Sequence, residues 1–239
     1  MTTVAGTIAV RMPPRPPIVL IAARDEADRL PATLAALREA FPGARVVVAD
    51  DGSTDATARV ARDAGAEVVR SSRSAGKGAA ASRAAQAVLD VTAAPDPPLV
   101  LLCDADLGQS AARLAGLLDA VARGEGDLAV AVFARRVGGG FGLAVGAARW
   151  AIRRAAGLEL AAPLSGQRAM RGEVLACVTP FAPGFGMEVG MTIDAARAGF
   201  RVVEVPLELE HRATGRTWRG FAHRGRQLRD LLAAWWARR

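Results

Sequence analysis

Two short acidic strings carry the chemistry this chain can offer. The first is Asp50-Asp51-Gly52-Ser53-Thr54-Asp55, which directly follows the apolar run Val46-Val47-Val48-Ala49. Read as a strand and then a turn, it puts two consecutive acids at the carboxyl end of a strand, where open α/β sheets bind ligands. Acids placed there can reach a ribose hydroxyl and a base edge. Gly52 permits a tight turn, and the helix expected over 55–64 has an N-terminus that favours a phosphate or an acidic cap. Ser53 or Thr54 is its candidate cap. The second string is Asp104-Ala105-Asp106, which follows the apolar stretch 99–103. Carboxylates one residue apart at a strand end can share a hard divalent cation such as Mg2+ or Mn2+, which takes oxygen ligands and often bridges to a diphosphate. Such a cation neutralises charge developing on a departing nucleoside diphosphate.

Both strings need a scaffold, and the hydrophobic pattern supplies one. Residues 18–22 are continuously apolar, as expected of a parallel strand covered on both faces. Leu30, Leu34, Leu37 and Phe41 recur at helical spacing until Pro42-Gly43. Further strands are expected at 45–49, 67–70, 99–103 and 127–133. Helices are expected at 55–64 and 77–89, around Leu114 to Val121, and at 143–156. This alternation implies an α/β fold with a doubly wound, mostly parallel sheet flanked by helices in a single domain. The second half is less regular, with strand-like stretches at 201–205 and 207–211. A proline-rich lead-in, residues 1–17, reads as extended and mobile. Residues 216–239 read as a basic amphipathic helix. Its apolar face carries Trp218, Phe221, Leu228, Leu231 and Trp235, with Arg219, Arg226 and Arg229 mostly off that face and Arg224 near it.

Charge and composition narrow the function classes. The 239 residues carry a net charge of +7, much of it within 212–239. No nucleic-acid-binding motif accompanies that excess, so phosphates and an anionic membrane surface are the expected partners, and nucleic acid is not. Cys103 and Cys177 lie far apart in apolar surroundings and read as buried, reduced thiols. Two histidines do not make a zinc site at the usual spacing. No apolar run approaches the ~20 residues that span a bilayer, and the N-terminus lacks a signal pattern. A cytoplasmic protein, free or peripheral at the inner face of the membrane, is the expectation. Oligomeric state stays open, a homodimer included. Gly76-Lys77-Gly78 is not a P-loop, and 138–142 does not complete a dinucleotide fingerprint. A nucleotidyltransferase would place a Gly-rich basic loop after the first strand, where this chain has Ala22-Ala23-Arg24-Asp25. A non-catalytic sugar-nucleotide-binding protein is the other alternative, and intact Asp104 and Asp106 argue against it.

The string Val46 onward to Thr57 resembles the nucleotide-binding signature of family-2 glycosyltransferases. The order of the other segments is similar too: Arg24-Asp25-Glu26 after the first strand, then Gly76-Lys77-Gly78, then Asp104-Ala105-Asp106. The resemblance extends over about residues 18–215. It implies a GT-A type fold, a nucleoside-diphospho-sugar donor of UDP or GDP, and a divalent metal. On the donor side it implies Asp51 as the nucleoside-contacting acid, with Asp50 supporting the turn. Glu26 matches the acid of the first loop, though Asp25 stands where the family has Asn. Lys77 matches a basic residue near the donor, and Ala23 and Ala105 fall beside these positions. Asp104 and Asp106 match the metal-binding acids.

Two branches of the family are similar in the second half. Ser165-Gly166-Gln167-Arg168-Ala169 resembles the acceptor-side segment of dolichyl-phosphate mannose synthases, with Gln167 in place of an aromatic, and Arg212-Ala213-Thr214-Gly215 resembles their Arg-x-x-Gly loop. Gly186-Met187-Glu188-Val189-Gly190 and His211-Arg212 resemble glucosyl-3-phosphoglycerate synthases, which implies His211 as a third metal ligand. Glu188 is expected either to position an acceptor hydroxyl as a catalytic residue or to cap a buried charge. Arg135, Arg168 and Arg212 could clamp an acceptor phosphate bidentately, and backbone amides of Gly138, Gly139 and Gly140 could serve the same end. Ser165 and Gln167 join them on the acceptor side. The preferred acceptor is a polyprenyl phosphate, whose ionised oxygen attacks without a protein base and gives an inverted product. The alternative is a small phosphorylated acid such as 3-phosphoglycerate, for which the resemblance implies retention.

Overall fold

The computed structural model describes residues 15–133, 142–209, 230 and 233–238. The chain runs β1 (Ile18–Ala23), α1 (Leu30–Ala40), β2 (Arg45–Asp50), α2 (Thr57–Asp63), β3 (Glu67–Arg70), α3 (Lys77–Gln86), α4 (Leu89–Thr92), β4 (Val100–Asp104), a 3-10 turn (Gly108–Leu114), α5 (Ala115–Ala122) and β5 (Leu128–Phe133). It continues through α6 (Gly142–Ala156), β6 (Arg168–Met170), α7 (Gly172–Val178), a short 3-10 turn (Gly184–Gly186), α8 (Met187–Arg197) and β7 (Val202–Leu207).

Alternation along the central strands divides the core in two. In β1, Val19, Ile21 and Ala23 face one cluster with Leu30, Leu34 and Leu37 of α1 and Leu117 and Leu118 of α5. Ile18 and Leu20 face the other, with the alanines of α3, Val174 and Leu175 of α7, and Met187 and Met191 of α8. A third cluster joins Ala148, Ala151 and Ile152 of α6 to Val189 and Ile193 of α8. A sheet covered on both faces explains why β1, β2 and β4 are apolar runs instead of half-polar ones. Seven strands lie in the order β3-β2-β1-β4-β6-β5-β7 among the described residues. All pairs are parallel except those of β6, which runs antiparallel to β4 and β5. β2 and β4 flank β1 on opposite sides, so strand order reverses there and opens a crevice at the carboxyl ends.

Several boundaries differ from the sequence reading, each for a local reason. The helix expected from 55 begins at Thr57, because Asp55 Oδ1 accepts the Thr57 amide at 2.9 Å and holds a turn. Ser53 and Thr54 are not its caps. Ser53 Oγ accepts the Asp25 amide at 3.0 Å and the Thr54 amide donates to Asp25 Oδ1 at 2.8 Å, tying the first two loops together. The helix expected over 77–89 divides into α3 and α4. Of the strand-like stretches 201–205 and 207–211, β7 covers Val202–Leu207 as one strand, residues 208–209 are not strand, and residues 210–211 lie outside the described residues. Among the described residues β7 pairs only with β5, and that edge position tolerates Pro206, which lacks an amide to donate. The antiparallel β6 was not foreseen. Cys103 is buried and its thiol is pushed up by burial, then by the Asp104 charge, whereas Cys177 is exposed, which corrects the expectation for that residue.

The end of the chain packs on the core. Ala234 is buried, Trp235 lies with its ring 4.8 Å from that of Trp150 of α6, and Arg238 reaches Asp194 of α8 at 2.7 Å. Trp235 is thus partly buried against α6. Trp218, Phe221, Leu228, Leu231, Arg219, Arg224, Arg226 and Arg229 lie outside the described residues, as do residues 1–14 of the lead-in.

Candidate active site

Three strand ends and two helix starts converge in the crevice. β2 ends at Asp50, and the Asp51 amide donates to the Ala23 carbonyl at the end of β1 at 3.0 Å. Asp50 is wholly buried. Its Oδ1 accepts the Ser53 amide at 2.9 Å and its Oδ2 lies 3.1 Å from Arg70 Nε. Burial under the turn corrects the idea that both acids reach a ligand. Asp51 sits nearer the crevice, 5% exposed, and accepts from Ser74 Oγ at 2.7 Å, the Ala75 amide at 2.8 Å and the Gly76 amide at 2.9 Å. It thereby ties the β2 turn to the loop before α3. Glu26 is anchored by its amide to Thr57 Oγ1 at 2.8 Å and by its carboxylate to Arg29 at 2.7 Å. The Arg29 guanidinium is held above its ordinary value, first by that hydrogen bond and also by the field of Asp106.

The second acidic string sits at the end of β4. Thr33 of α1 holds it there: Thr33 Oγ1 donates to the Ala105 carbonyl at 2.8 Å and accepts the Gly108 amide at 2.9 Å. Thr33 was missed in the sequence, yet it had a signal. It is a wholly buried polar residue on the apolar face of Leu30, Leu34 and Leu37, and a buried hydroxyl must find partners. Ala105 itself is buried in the core. Asp104 is about a quarter exposed, and its Oδ1 accepts Lys77 Nζ at 2.8 Å while Oδ2 accepts Gln167 Nε2 at 2.6 Å.

Antiparallel β6 explains how Gln167 gets there. With Leu102 opposite Arg168, the two residues before Arg168 run alongside Cys103 and Asp104. Ser165, Gly166 and Gln167 thus lie at the same crevice, and Ser165 Oγ is 3.4 Å from Gln167 Oε1. Gly166 has no room for a side chain: a Cβ there would lie 2.6 Å from Lys77 Nζ and 3.1 Å from both Asp104 oxygens.

Lys77 opens α3 and Glu188 lies in the first turn of α8; their side chains meet at 3.0 Å. Glu188 is 6% exposed and pairs with the Lys77 ammonium. Burial alone would depress the Lys77 ammonium, but Asp104 and Glu188 more than offset it and hold it well above its ordinary value. A close approach of chains brings the two together, since a Cβ at Gly78 would lie 2.1 Å from the Ala182 carbonyl oxygen.

Arg168 is corrected by the structure. It is wholly buried, and it donates to the Ser165 carbonyl at 2.9 Å, Thr192 Oγ1 at 2.9 Å and the Pro163 carbonyl at 3.3 Å. Burial lowers it to about 10, so it stays charged at neutral pH, but it faces the protein and not an acceptor. Arg135, Gly139, Gly140, His211 and Arg212 lie outside the described residues. Among the described residues no three His, Cys, Asp or Glu side chains form a metal cluster. Asp104 and Asp106 supply carboxylate oxygens only, which suits a hard cation that completes its shell with diphosphate oxygens and water. An ammonium already seated on Asp104 shows that this position accepts positive charge.

The chain is similar to several known proteins. Residues 18–177 match the family model described as glycosyl transferase family 2. The chain is 31% identical over 214 residues to an undecaprenyl-phosphate mannosyltransferase of Micrococcus luteus, covering 83% of this chain and 85% of that protein. It is 32% identical over 176 residues to the glycosyltransferase AglJ of Haloferax volcanii, covering 72% of this chain and 56% of that one. Among solved structures, glucosyl-3-phosphoglycerate synthase from Mycobacterium tuberculosis with Mg2+ and UDP superposes with a TM-score of 0.75 at 25% identity, over 94% of this chain and 79% of that one. The same enzyme with Mn2+, UDP and glucosyl-3-phosphoglycerate gives 0.73 at 25% identity, over 94% and 80%.

Proposed function

The chain belongs to glycosyl transferase family 2, and from that membership we propose that it moves a sugar from a UDP- or GDP-linked donor to a polyprenyl phosphate. The observation that carries this reading is the pair Asp104 and Asp106 at the end of β4, beside the strand reversal and across the crevice from Asp51. A Mg2+ or Mn2+ on those two carboxylates would neutralise charge on the departing diphosphate. An acceptor phosphate oxygen forms the bond to the anomeric carbon as the bond from that carbon to the nucleoside diphosphate breaks. That oxygen is already ionised near neutral pH, so no protein base is needed. Lys77, at the start of α3, would meet the diphosphate together with the helix N-terminus. The lipid acceptor is supported by the likeness to the Micrococcus luteus enzyme. Transfer to a small phosphorylated acid is the second reading, favoured by the superposition with the phosphoglycerate-using synthase.

A donor screen tests the proposal. Nucleoside diphosphate release is followed with UDP- and GDP-sugars under Mg2+ or Mn2+, with polyprenyl phosphate, 3-phosphoglycerate or neither. Stimulation by polyprenyl phosphate alone is expected, and stimulation by 3-phosphoglycerate alone would reverse the order of the two readings.

Asp51→Ala should raise the donor KM roughly ten- to a hundredfold while kcat falls less. The carboxylate organises the 74–76 loop, and contacts to a nucleoside change little between ground and transition state. Steady-state kinetics with the donor varied check this; a kcat defect at unchanged KM removes Asp51 from donor binding.

No helix among the described residues is long and apolar enough to cross a membrane, so a lipid acceptor would be met at the surface. Leu143, Trp150 and Trp236 are exposed there, 89%, 44% and 66% respectively. The full chain is expected to co-sediment with anionic vesicles at low salt and to be released at high salt, each nearby basic residue adding about 1 kcal/mol. A folded chain that stays in the supernatant with anionic vesicles moves the small-acid reading ahead.

A further inference from the structure

We propose that Lys77 is the resident counter-cation of the Asp104 carboxylate, and that it must leave before a divalent cation can bind, so that metal enters effectively only with the nucleoside diphosphate. The inference rests on the reading that places the cation at Asp104 and Asp106. Asp104 has a protein donor on each oxygen: Lys77 Nζ at 2.8 Å on Oδ1 and Gln167 Nε2 at 2.6 Å on Oδ2. An oxygen engaged with an ammonium is a poor ligand for a second positive centre, because two cations on one carboxylate repel in a partly desolvated site. The seat for the ammonium is built. Glu188 Oε1 also holds it, at 3.0 Å, and Gly166 leaves the space that a Cβ would fill.

The seat is also one that Lys77 can leave. Its side chain is 36% exposed, on a flexible stem with rotatable donors. A cation at a helix N-terminus is opposed by the helix dipole, so Lys77 depends there on its two acidic partners. A diphosphate arriving at the same helix end offers the ammonium a new anion and frees Asp104 Oδ1 for the metal. By linkage, metal and nucleotide then tighten each other by the same factor, and Lys77 sets part of that factor. Glu188 keeps the departing ammonium within the site.

The test reads metal binding, not turnover. Free Mn2+ is counted by electron paramagnetic resonance against the full-length protein, first alone and then with saturating UDP or GDP. Wild type is expected to bind Mn2+ weakly alone. Lys77→Met keeps length without charge and should bind Mn2+ alone at least tenfold more tightly, with the nucleotide adding correspondingly less. Lys77→Arg should behave as wild type. Lys77→Gln replaces the Met variant if thermal melting shows that the latter has lost its fold. A folded Lys77→Met or Lys77→Gln protein that binds Mn2+ alone no more tightly than wild type overturns the inference. Asp106→Asn separates the two levels. If it binds Mn2+ as wild type does in the presence of nucleotide, the metal-site reading itself fails.

Discussion

Asp106→Ala leaves a folded protein whose transfer rate is a thousandfold or more below wild type. The side chain is partly exposed at the end of β4, in a turn that Thr33 of α1 holds by two hydrogen bonds to backbone, so removing the carboxylate does not loosen the turn. What it removes is charge opposite the developing diphosphate. A thousandfold corresponds to about 4 kcal/mol of transition-state stabilisation, within what a metal carboxylate supplies. The measurement is nucleoside diphosphate release under saturating Mg2+ or Mn2+, beside a thermal melt. Near-wild-type turnover in the folded variant would take Asp106 out of the metal site.

The parts of the fold that were legible share one property, a continuous apolar run bounded by turn residues. β1, β2 and β4 are buried on both faces and read so directly, and the acids that follow β2 and β4 inherit their place from the strands. β6 has no such signature. It is three residues long and opens with an arginine, so neither alternation nor an apolar run marks it. Its antiparallel direction is a tertiary fact, and that direction brings residues 165–167 to the same crevice as Asp104.

Residue type and local spacing singled out Asp51, Asp104 and Asp106 as candidates, but not their partners. The Lys77–Glu188 pair joins residues 111 apart, and nothing local to either announces the other. A lysine at a helix start is unfavourable against the dipole. Read strictly, that local conflict was the one sequence sign that Lys77 is held by acids from elsewhere. Cys177 misled in the opposite sense: its neighbours in sequence are apolar, but α7 turns it to solvent.

Arg168 shows the same limit with a larger consequence. An arginine beside an acceptor-like motif suggests a phosphate clamp, yet its guanidinium fastens the 163–165 segment to Thr192 of α8 from behind. That segment leads straight into Gly166 and Gln167, which cradle Lys77 and Asp104. Arg168→Met keeps the bulk but leaves the Ser165 and Pro163 carbonyls without this donor and frees the Thr192 hydroxyl on that side. Unmet buried polar groups cost about 1–3 kcal/mol each. A loss of about 3 kcal/mol or more is therefore expected, a fall in Tm of roughly 10 °C for a domain of this size. Below that melting point, activity should still drop about tenfold or more, because a small displacement of Gln167 unsettles Asp104. Acceptor KM measured at low temperature decides between the two roles. A clamp predicts that acceptor KM rises steeply with the Tm unchanged, whereas a fastening residue predicts a lower Tm and a kcat loss that Arg168→Lys partly restores.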